Sequence, residues 1–490
     1  MRTTAFLLAA LLLTASCADA TTLPSPAGGT ISWSPCPGQP VLECGRVEVP
    51  ITPGNPSAGS LAIAVARLPA TDPGRRIGAL VLHFGGPGSS GIDLLSIIGR
   101  SIVPDEIAAR FDLVAFDQRG VGKSRPVECL DDRALDAYIA EEIPPRVPTG
   151  VDLAASFASA ERFAAACAAA SGETLLARVS SNAVVDDLEA MRRALGDEGL
   201  SYLGFSYGGL LGALYADRYP ERVRAMVLDG AVEPGISFAA RLGEQAQAFE
   251  TGLSRFLVDC DRRPACPFAP EPEIGATDAF DALLAELRTR PIVLGDGRLL
   301  NEGMALSGVM AGLYARETWG TIAAGLAAAA SGDGVILAAL ADSYVGRRSD
   351  GGYRNNSVEA NTAINCIDYE AARDPDAYAR LTEETLAVAP RFAALLAYSG
   401  LTCAAWPVPA DPVRAVEAEG APPILVIGTT GDPAAPYAWS VRLADQLATG
   451  RLLTYRNAGH TAVGTEDPCI DAAVAAYLVE LNIPAAGAQC

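Results

Sequence analysis

The sequence predicts an α/β fold: a mostly parallel central sheet with helices on both faces and a helical cap inserted after the sixth core strand. Three observations carry this expectation. Between residues 47 and 232, short β-rich runs alternate with amphipathic helical segments, the pattern of a sheet covered on both sides. Helical periodicity without a clear strand then fills residues 236–407, and the strand–helix alternation returns over 408–490. The chain of 490 residues is 50% hydrophobic and only 19% charged, enough apolar material for a large core and too little charge for disorder.

In chain order, residues 1–20 read as an export signal: Arg2 supplies the positive end, an apolar run covers 5–13, and small residues follow. The run is too short to span a bilayer. Two cleavage readings stand. Leu13-Thr14-Ala15-Ser16-Cys17 resembles a lipobox, which makes Cys17 the lipidated first residue of a protein on the outer face of a bacterial membrane. Ala18-Asp19-Ala20 fits ordinary signal peptidase and a freely secreted product. Residues 21–30, rich in Pro, Gly and Thr, form a tether in either case.

The first half of the core is expected over 31–235. Residues 79–84 and 111–116 are nearly continuous apolar runs, as buried strands require. Val184, Leu188, Met191 and Leu195 recur at helical spacing over 180–195, with Ser181 as N-cap and Gly196 beyond the end. A strand at 201–205 runs directly into a helix at 207–219, and a further strand at 225–228 ends at Asp229. The cap, 236–407, is expected to hold helices at 238–259, 278–290, 302–315, 318–330 and 375–397. The second half of the core supplies strands at 423–428 and 452–456 and a last helix at 470–481.

Charge and cysteine content narrow the function. Asp and Glu number 58 against 37 Lys and Arg, for a net charge of −21 without basic runs, which argues against nucleic acid or an anionic membrane surface as main partner. Two histidines and eleven cysteines without C-x-x-C spacing leave metal chemistry without ligands; no cofactor and no obligate protein partner are expected. With Cys17 set aside, ten cysteines remain for an oxidising compartment. Short loops pair Cys36 with Cys44 and Cys260 with Cys266; Cys129 with Cys167, Cys366 with Cys403 and Cys469 with Cys490 follow by elimination.

The chemistry concentrates in four places. Gly204-Phe205-Ser206-Tyr207-Gly208 is a G-x-S-x-G motif at a strand-to-helix junction, where flanking glycines let a strained turn lift the Ser206 hydroxyl above the sheet. A serine hydroxyl needs a base. His460 follows the last expected strand, where a loop can carry it to the sheet edge, whereas His83 lies at the end of an apolar strand and reads as structural. Asp432, in a turn after the strand at 423–428, is the expected carboxylate partner, with Asp229 as its rival. Phe84-Gly85-Gly86-Pro87-Gly88 can supply one oxyanion donor, at Gly86 or else Gly85, and the Tyr207 amide the other. Asp117 and Arg119 are expected to form a buried ion pair that shapes the core.

These residues resemble those of secreted α/β-hydrolases of the tripeptidyl aminopeptidase and prolyl aminopeptidase group, particularly the actinobacterial cell-envelope lipoprotein peptidases. The likeness rests on the 85–88 loop, Asp117-Gln118-Arg119-Gly120-Val121-Gly122-Lys123-Ser124, the Ser206 elbow, Leu228-Asp229-Gly230, Ala363-Ile364-Asn365-Cys366-Ile367-Asp368, and the Asp432 and His460 blocks. It implies release of short N-terminal peptides from peptides or proteins through an acyl-enzyme. Phe84 stands where prolyl aminopeptidases carry histidine, which points to the tripeptidyl branch, and Ala435 replaces a common threonine. Such an exopeptidase must hold a substrate ammonium, so a carboxylate is expected beneath the cap; Glu244, Glu250 and Asp368 are the candidates. An esterase or amidase using the same three residues is the alternative.

Overall fold

A computed structural model describes residues 30–141, 150–262, 266–268 and 275–490. The expected signal at 1–20, Cys17 within it, and tether residues 21–29 lie outside the described residues. Nine strands form one sheet among the described residues. They are β1 (Ser34–Cys36), β2 (Gln39–Thr52), β3 (Asn55–Leu68), β4 (Gly78–His83), β5 (Phe111–Phe116), β6 (Leu200–Phe205) and β7 (Val223–Asp229). After a separate hairpin of β8 (Ile292–Val293) and β9 (Leu299–Leu300), the sheet ends with β10 (Ile424–Gly431) and β11 (Gly450–Ala458).

The spatial order is β1-β2-β3-β5-β4-β6-β7-β10-β11. The first three strands pair antiparallel along one edge, and the six from β5 to β11 run parallel. The chain enters the parallel part at β4, steps outward to β5, then crosses back to β6 on the other side of β4. That reversal opens a crevice at the carboxyl ends of β4 and β6, the place where open α/β sheets bind ligands. Register brings the exits level: His83 pairs with Gly204, Phe205 with Asp229, and Asp229 with Ile427.

Side chains alternate along the buried strands, as a period of two demands. On β7, Met226 and Leu228 enter the apolar layer on one face, Ala225 and Val227 the layer on the other. Helix Ser181–Leu195 is capped by Ser180, whose hydroxyl accepts from the Ala183 amide, and closed by Gly196 in the left-handed region. The expected cap, Ser181, sits one residue inside and uses its hydroxyl elsewhere. The Asp117–Arg119 pair is also corrected. The chain turns at 119–120, and the two side chains find separate partners. Arg119 bonds Asp187 at 2.6 and 2.7 Å, while Asp117 accepts from Ser90 Oγ at 2.7 Å and the Lys123 amide at 2.8 Å.

The helical insertion lies between β7 and β10, and it follows the seventh strand of the chain when the three-residue β1 is counted. Its helices are Phe238–Asp261, Ala276–Thr289, Glu302–Leu313, Trp319–Ala330, Val335–Val345, Ser357–Asp368, Asp376–Leu386, Ala393–Tyr398 and Leu401–Ala404. The single helix expected at 375–397 is two, interrupted around Pro390, which cannot donate the next helical hydrogen bond. The β8–β9 hairpin is a further departure from an all-helical insertion. The insertion is not one unit. Phe249, Phe256, Phe280, Leu306 and Leu326 build an apolar core of its own. Ala363, Ile364, Ile367, Leu401 and Trp406 instead join the core beneath the sheet.

All five expected disulfides are present: Cys36–Cys44, Cys129–Cys167, Cys260–Cys266, Cys366–Cys403 and Cys469–Cys490. Among the described residues, no helix is long and apolar enough to cross a membrane.

Candidate active site

Ser206 sits between β6 and helix Tyr207–Arg218 with φ 55° and ψ −121°. A side chain in that region costs about 1–3 kcal/mol and persists only where the surroundings impose it. Here they do. The Ser206 amide donates to Asp229 O at 2.8 Å, and Ser206 O accepts from the Gly209 and Val232 amides at 2.9 and 3.3 Å. The motif's glycines are places of close approach: a Cβ at Gly204 would collide with Gly208 O, and one at Gly208 with His83 O. The Tyr207 amide opens the helix, where a backbone N–H has no intrahelical acceptor.

The loop after β4 lies against this elbow. Gly85, Gly86 and Gly88 have φ of 94°, 109° and 92°, and the Gly86–Pro87 peptide is cis. A Cβ on Gly85 would come within 2.8 Å of Phe205 O and 2.9 Å of Ser206 Cβ, so only glycine lets the loop pass. His83 fixes the loop's start. Its Nδ1 accepts from the Gly85 amide at 3.1 Å, which leaves Nε2–H to donate to Gln118 Oε1 at 2.8 Å. Burial pushes the His83 imidazole down to about 4, although the Gln118 bond opposes this. It is a neutral structural histidine. On the loop's far side, Asn361 Nδ2 donates to Pro87 O at 2.9 Å, and Asn365 Nδ2 donates to Asn361 Oδ1 at 3.0 Å.

His460 follows β11. Its amide donates to Tyr314 O at 2.7 Å and its ring meets the Tyr314 ring edge-on, with centroids 5.2 Å apart. Nδ1 lies 2.8 and 2.9 Å from the two Asp432 oxygens. An ionised carboxylate only accepts, so Nδ1 carries the proton and Nε2 keeps its lone pair. Asp432 is held in turn by the Ala434 and Ala435 amides, each donating to Oδ1 at 2.8 Å. Burial alone would lower the His460 pKa; the Asp432 charge and hydrogen bond, with a contribution from Asp229, outweigh it and raise the pKa above the ordinary imidazole range.

Asp229 does not bond the His460 ring among the described residues. Its Oδ2 accepts from the Ala462 and Val463 amides at 2.8 Å, which ties down the loop beyond the histidine. Burial pushes its carboxyl up to about 7 against those two bonds. Asp432 and Asp229 therefore divide the work: one engages the ring, the other the backbone that carries it.

Ser206, Gly86 and His460 line one cleft of about 390 Å³, together with Phe84, Tyr314, Tyr344 and Asn361. No direct Ser206–His460 hydrogen bond is formed; such bonds commonly tighten only when substrate fills the site. The three carboxylates expected to receive an amine are not brought here. Glu244 accepts from Trp439 Nε1 at 2.6 Å and Arg442 at 2.7 Å in a neighbouring groove. Glu250 is buried against Arg391. Asp368 is buried beneath the helices and accepts from Ser181 N at 2.8 Å and Oγ at 2.5 Å, with burial pushing it up to about 7. Each is already occupied by a donor its own sequence neighbourhood does not reveal. Tyr314 and Asn361 went unnoticed in the sequence: both reach the site across long chain separations, and only the nearby Asn365-Cys366 block drew attention to that helix.

A sequence model of the alpha/beta hydrolase fold matches residues 78–467. Serine protease Hip1 of Mycobacterium tuberculosis (strain ATCC 25618 / H37Rv) is 37% identical over 486 residues, spanning 94% of this chain and 91% of that protein. Carboxylesterase B of the same organism is 36% identical over 458 residues, spanning 91% and 86%. Tripeptidyl aminopeptidase of Streptomyces lividans is 29% identical over 472 residues, spanning 94% and 86%. With the strained serine elbow, the sheet's reversal at β4 and a family match over most of its length, the chain belongs to the alpha/beta hydrolase family.

Proposed function

We propose that the chain is an exported serine exopeptidase that releases short N-terminal peptides through an acyl-enzyme. One observation supports this above all: His460, held by Asp432, shares a cleft with a serine on a strained elbow. In this reading Ser206 Oγ attacks the scissile carbonyl while His460 Nε2 takes its proton and then delivers it to the leaving amine. The Gly86 and Tyr207 amides receive the developing oxyanion. Water, activated by the same imidazole, releases the N-terminal fragment. No carboxylate lines the cleft among the described residues, so in this reading the substrate ammonium is received by the aromatic lining, Tyr314 and Tyr344. Relatives named serine protease and tripeptidyl aminopeptidase agree with peptide substrates.

A second reading, an esterase, is favoured by the relative named carboxylesterase. Tripeptide p-nitroanilides with free and acetylated N-termini, set beside p-nitrophenyl esters, separate the two. The exopeptidase reading expects the free-amine nitroanilide to be preferred over its acetylated form; hydrolysis confined to esters overturns it. Export is supported by the five disulfides, and we assign lipid attachment to Cys17. A diacylated Cys17 at the mature N-terminus in mass spectrometry is the expected result, and a chain starting at Thr21 would refute it.

A further inference from the structure

Behind the wall that carries His460 lies a second pocket, of about 650 Å³, where helix Phe238–Asp261 crosses the ends of β10 and β11. Arg255, Arg262, Arg316 and Arg456 line it, with Asp259 beside them at 3.5 Å from Arg316. Among the described residues, four arginines line the groove against one aspartate, in a chain whose net charge is −21.

Many arginines elsewhere pair with carboxylates, as in Arg298–Asp342, Arg347–Asp136 and Arg391–Asp281. In the groove, apart from the long Arg316–Asp259 contact, the partners are neutral. Arg255 donates to Thr430 O at 3.2 Å, Arg456 Nε to Gln489 Oε1 at 2.8 Å, and the Arg316 guanidinium lies 5.3 Å from the Trp319 ring centre. Arg262 has no carboxylate partner among the described residues. Neutral acceptors orient a guanidinium without cancelling its charge, and its remaining N–H donors suit carboxylates in a forked geometry.

The groove and the Ser206 cleft share a wall. Ala315 bridges Gly459, and the His460 amide donates to Tyr314 O. Tyr314 and His460 line the cleft, whereas Arg316 and Ala458 line the groove. The groove therefore lies next to the cleft on its His460 side.

We infer that the arginine groove binds an acidic segment of the peptide substrate downstream of the cleaved bond. The inference rests on the peptidase reading and narrows its substrate class to chains with Asp or Glu beyond the released fragment. Binding is read first without turnover. Fluorescence anisotropy of labelled peptides on the Ser206→Ala protein compares a common N-terminal tripeptide followed by a Glu-rich or a neutral segment. The Glu-rich peptide should bind about tenfold more tightly, as a few exposed ion pairs allow. Added salt and the double substitution Arg255→Gln/Arg316→Gln should erase the difference. In turnover, the acidic segment should lower KM at constant kcat, and the double variant should cleave a tripeptide nitroanilide as the unaltered enzyme does. Equal affinity for the two peptides, or a preference that survives the double variant, overturns the inference. So does binding of anionic-lipid vesicles through these arginines without binding of the acidic peptide. Failure of the peptidase reading looks different: the unaltered enzyme then leaves the nitroanilide intact.

Discussion

His83 and His460 stand at the same rim of the sheet, both largely enclosed, and burial pushes both toward the neutral form. His83 faces an amide, Gln118, and drops to about 4; His460 faces Asp432 and rises above the ordinary imidazole range. Enclosure is common to the two, so the partner decides the proton. A neutral partner gives a fixed tautomer that braces the Gly85 loop. A charged one gives an imidazole able to take a proton and stabilise the cation it becomes.

The largest expected effect comes from making the second site like the first. Asp432→Asn presents an amide to His460 and should lower kcat about 10⁴-fold, as loss of this partner does in serine hydrolases. The sign in pH follows: activity needs neutral His460, so the acid limb lies above the usual imidazole value, and the variant should move it down. A kcat/KM profile from pH 5 to 9 reads both. An unmoved limb breaks the comparison.

The converse change is milder. His83→Ala removes the acceptor for the Gly85 amide and should lower kcat about tenfold, the scale of one neutral hydrogen bond, while leaving the acid limb in place. A shifted limb in this variant would mean that His83 titrates in turnover. Asp229→Asn sharpens the contrast further: it removes the smaller charge acting on His460, so the limb should move in the same direction as in Asp432→Asn but by less.

The smallest effect concerns stability. Asp368 is buried and accepts from Ser181, and its folded carboxyl lies near 7, above the unfolded value of 3.8. The folded protein therefore holds that proton more tightly, and stability declines as pH rises between about 4 and 7. Asp368→Asn should flatten this decline, measured as the difference in Tm between pH 5 and pH 8. An unchanged difference would contradict the assignment.

What the sequence disclosed and what it hid divide along physical lines. Ser206 and Asp432 follow buried apolar strands, His460 follows the edge strand β11, and all three stand beside glycines, so local pattern and sheet topology together placed them. Gly86 and its neighbours were legible because only glycine tolerates their backbone. Long-range electrostatics were not. Asp187 is 68 residues from Arg119, and Asn361 is 274 from Pro87. No local rule joins such partners, and the nearest charge in sequence, Asp117, was the wrong one. The amine-binding carboxylates failed similarly, since Arg391 claims Glu250 across 141 residues. The antiparallel edge of β1 to β3 carried too weak an alternation to be resolved strand by strand.

The central claim is that His460 activates Ser206. Reaction with a fluorophosphonate, followed over pH and mapped by mass spectrometry, tests it most directly. The account predicts a single adduct on Ser206, formed at a rate that falls as His460 protonates and that collapses in His460→Ala. An adduct on another residue, or equal reaction rates in the unaltered protein and His460→Ala, would contradict it.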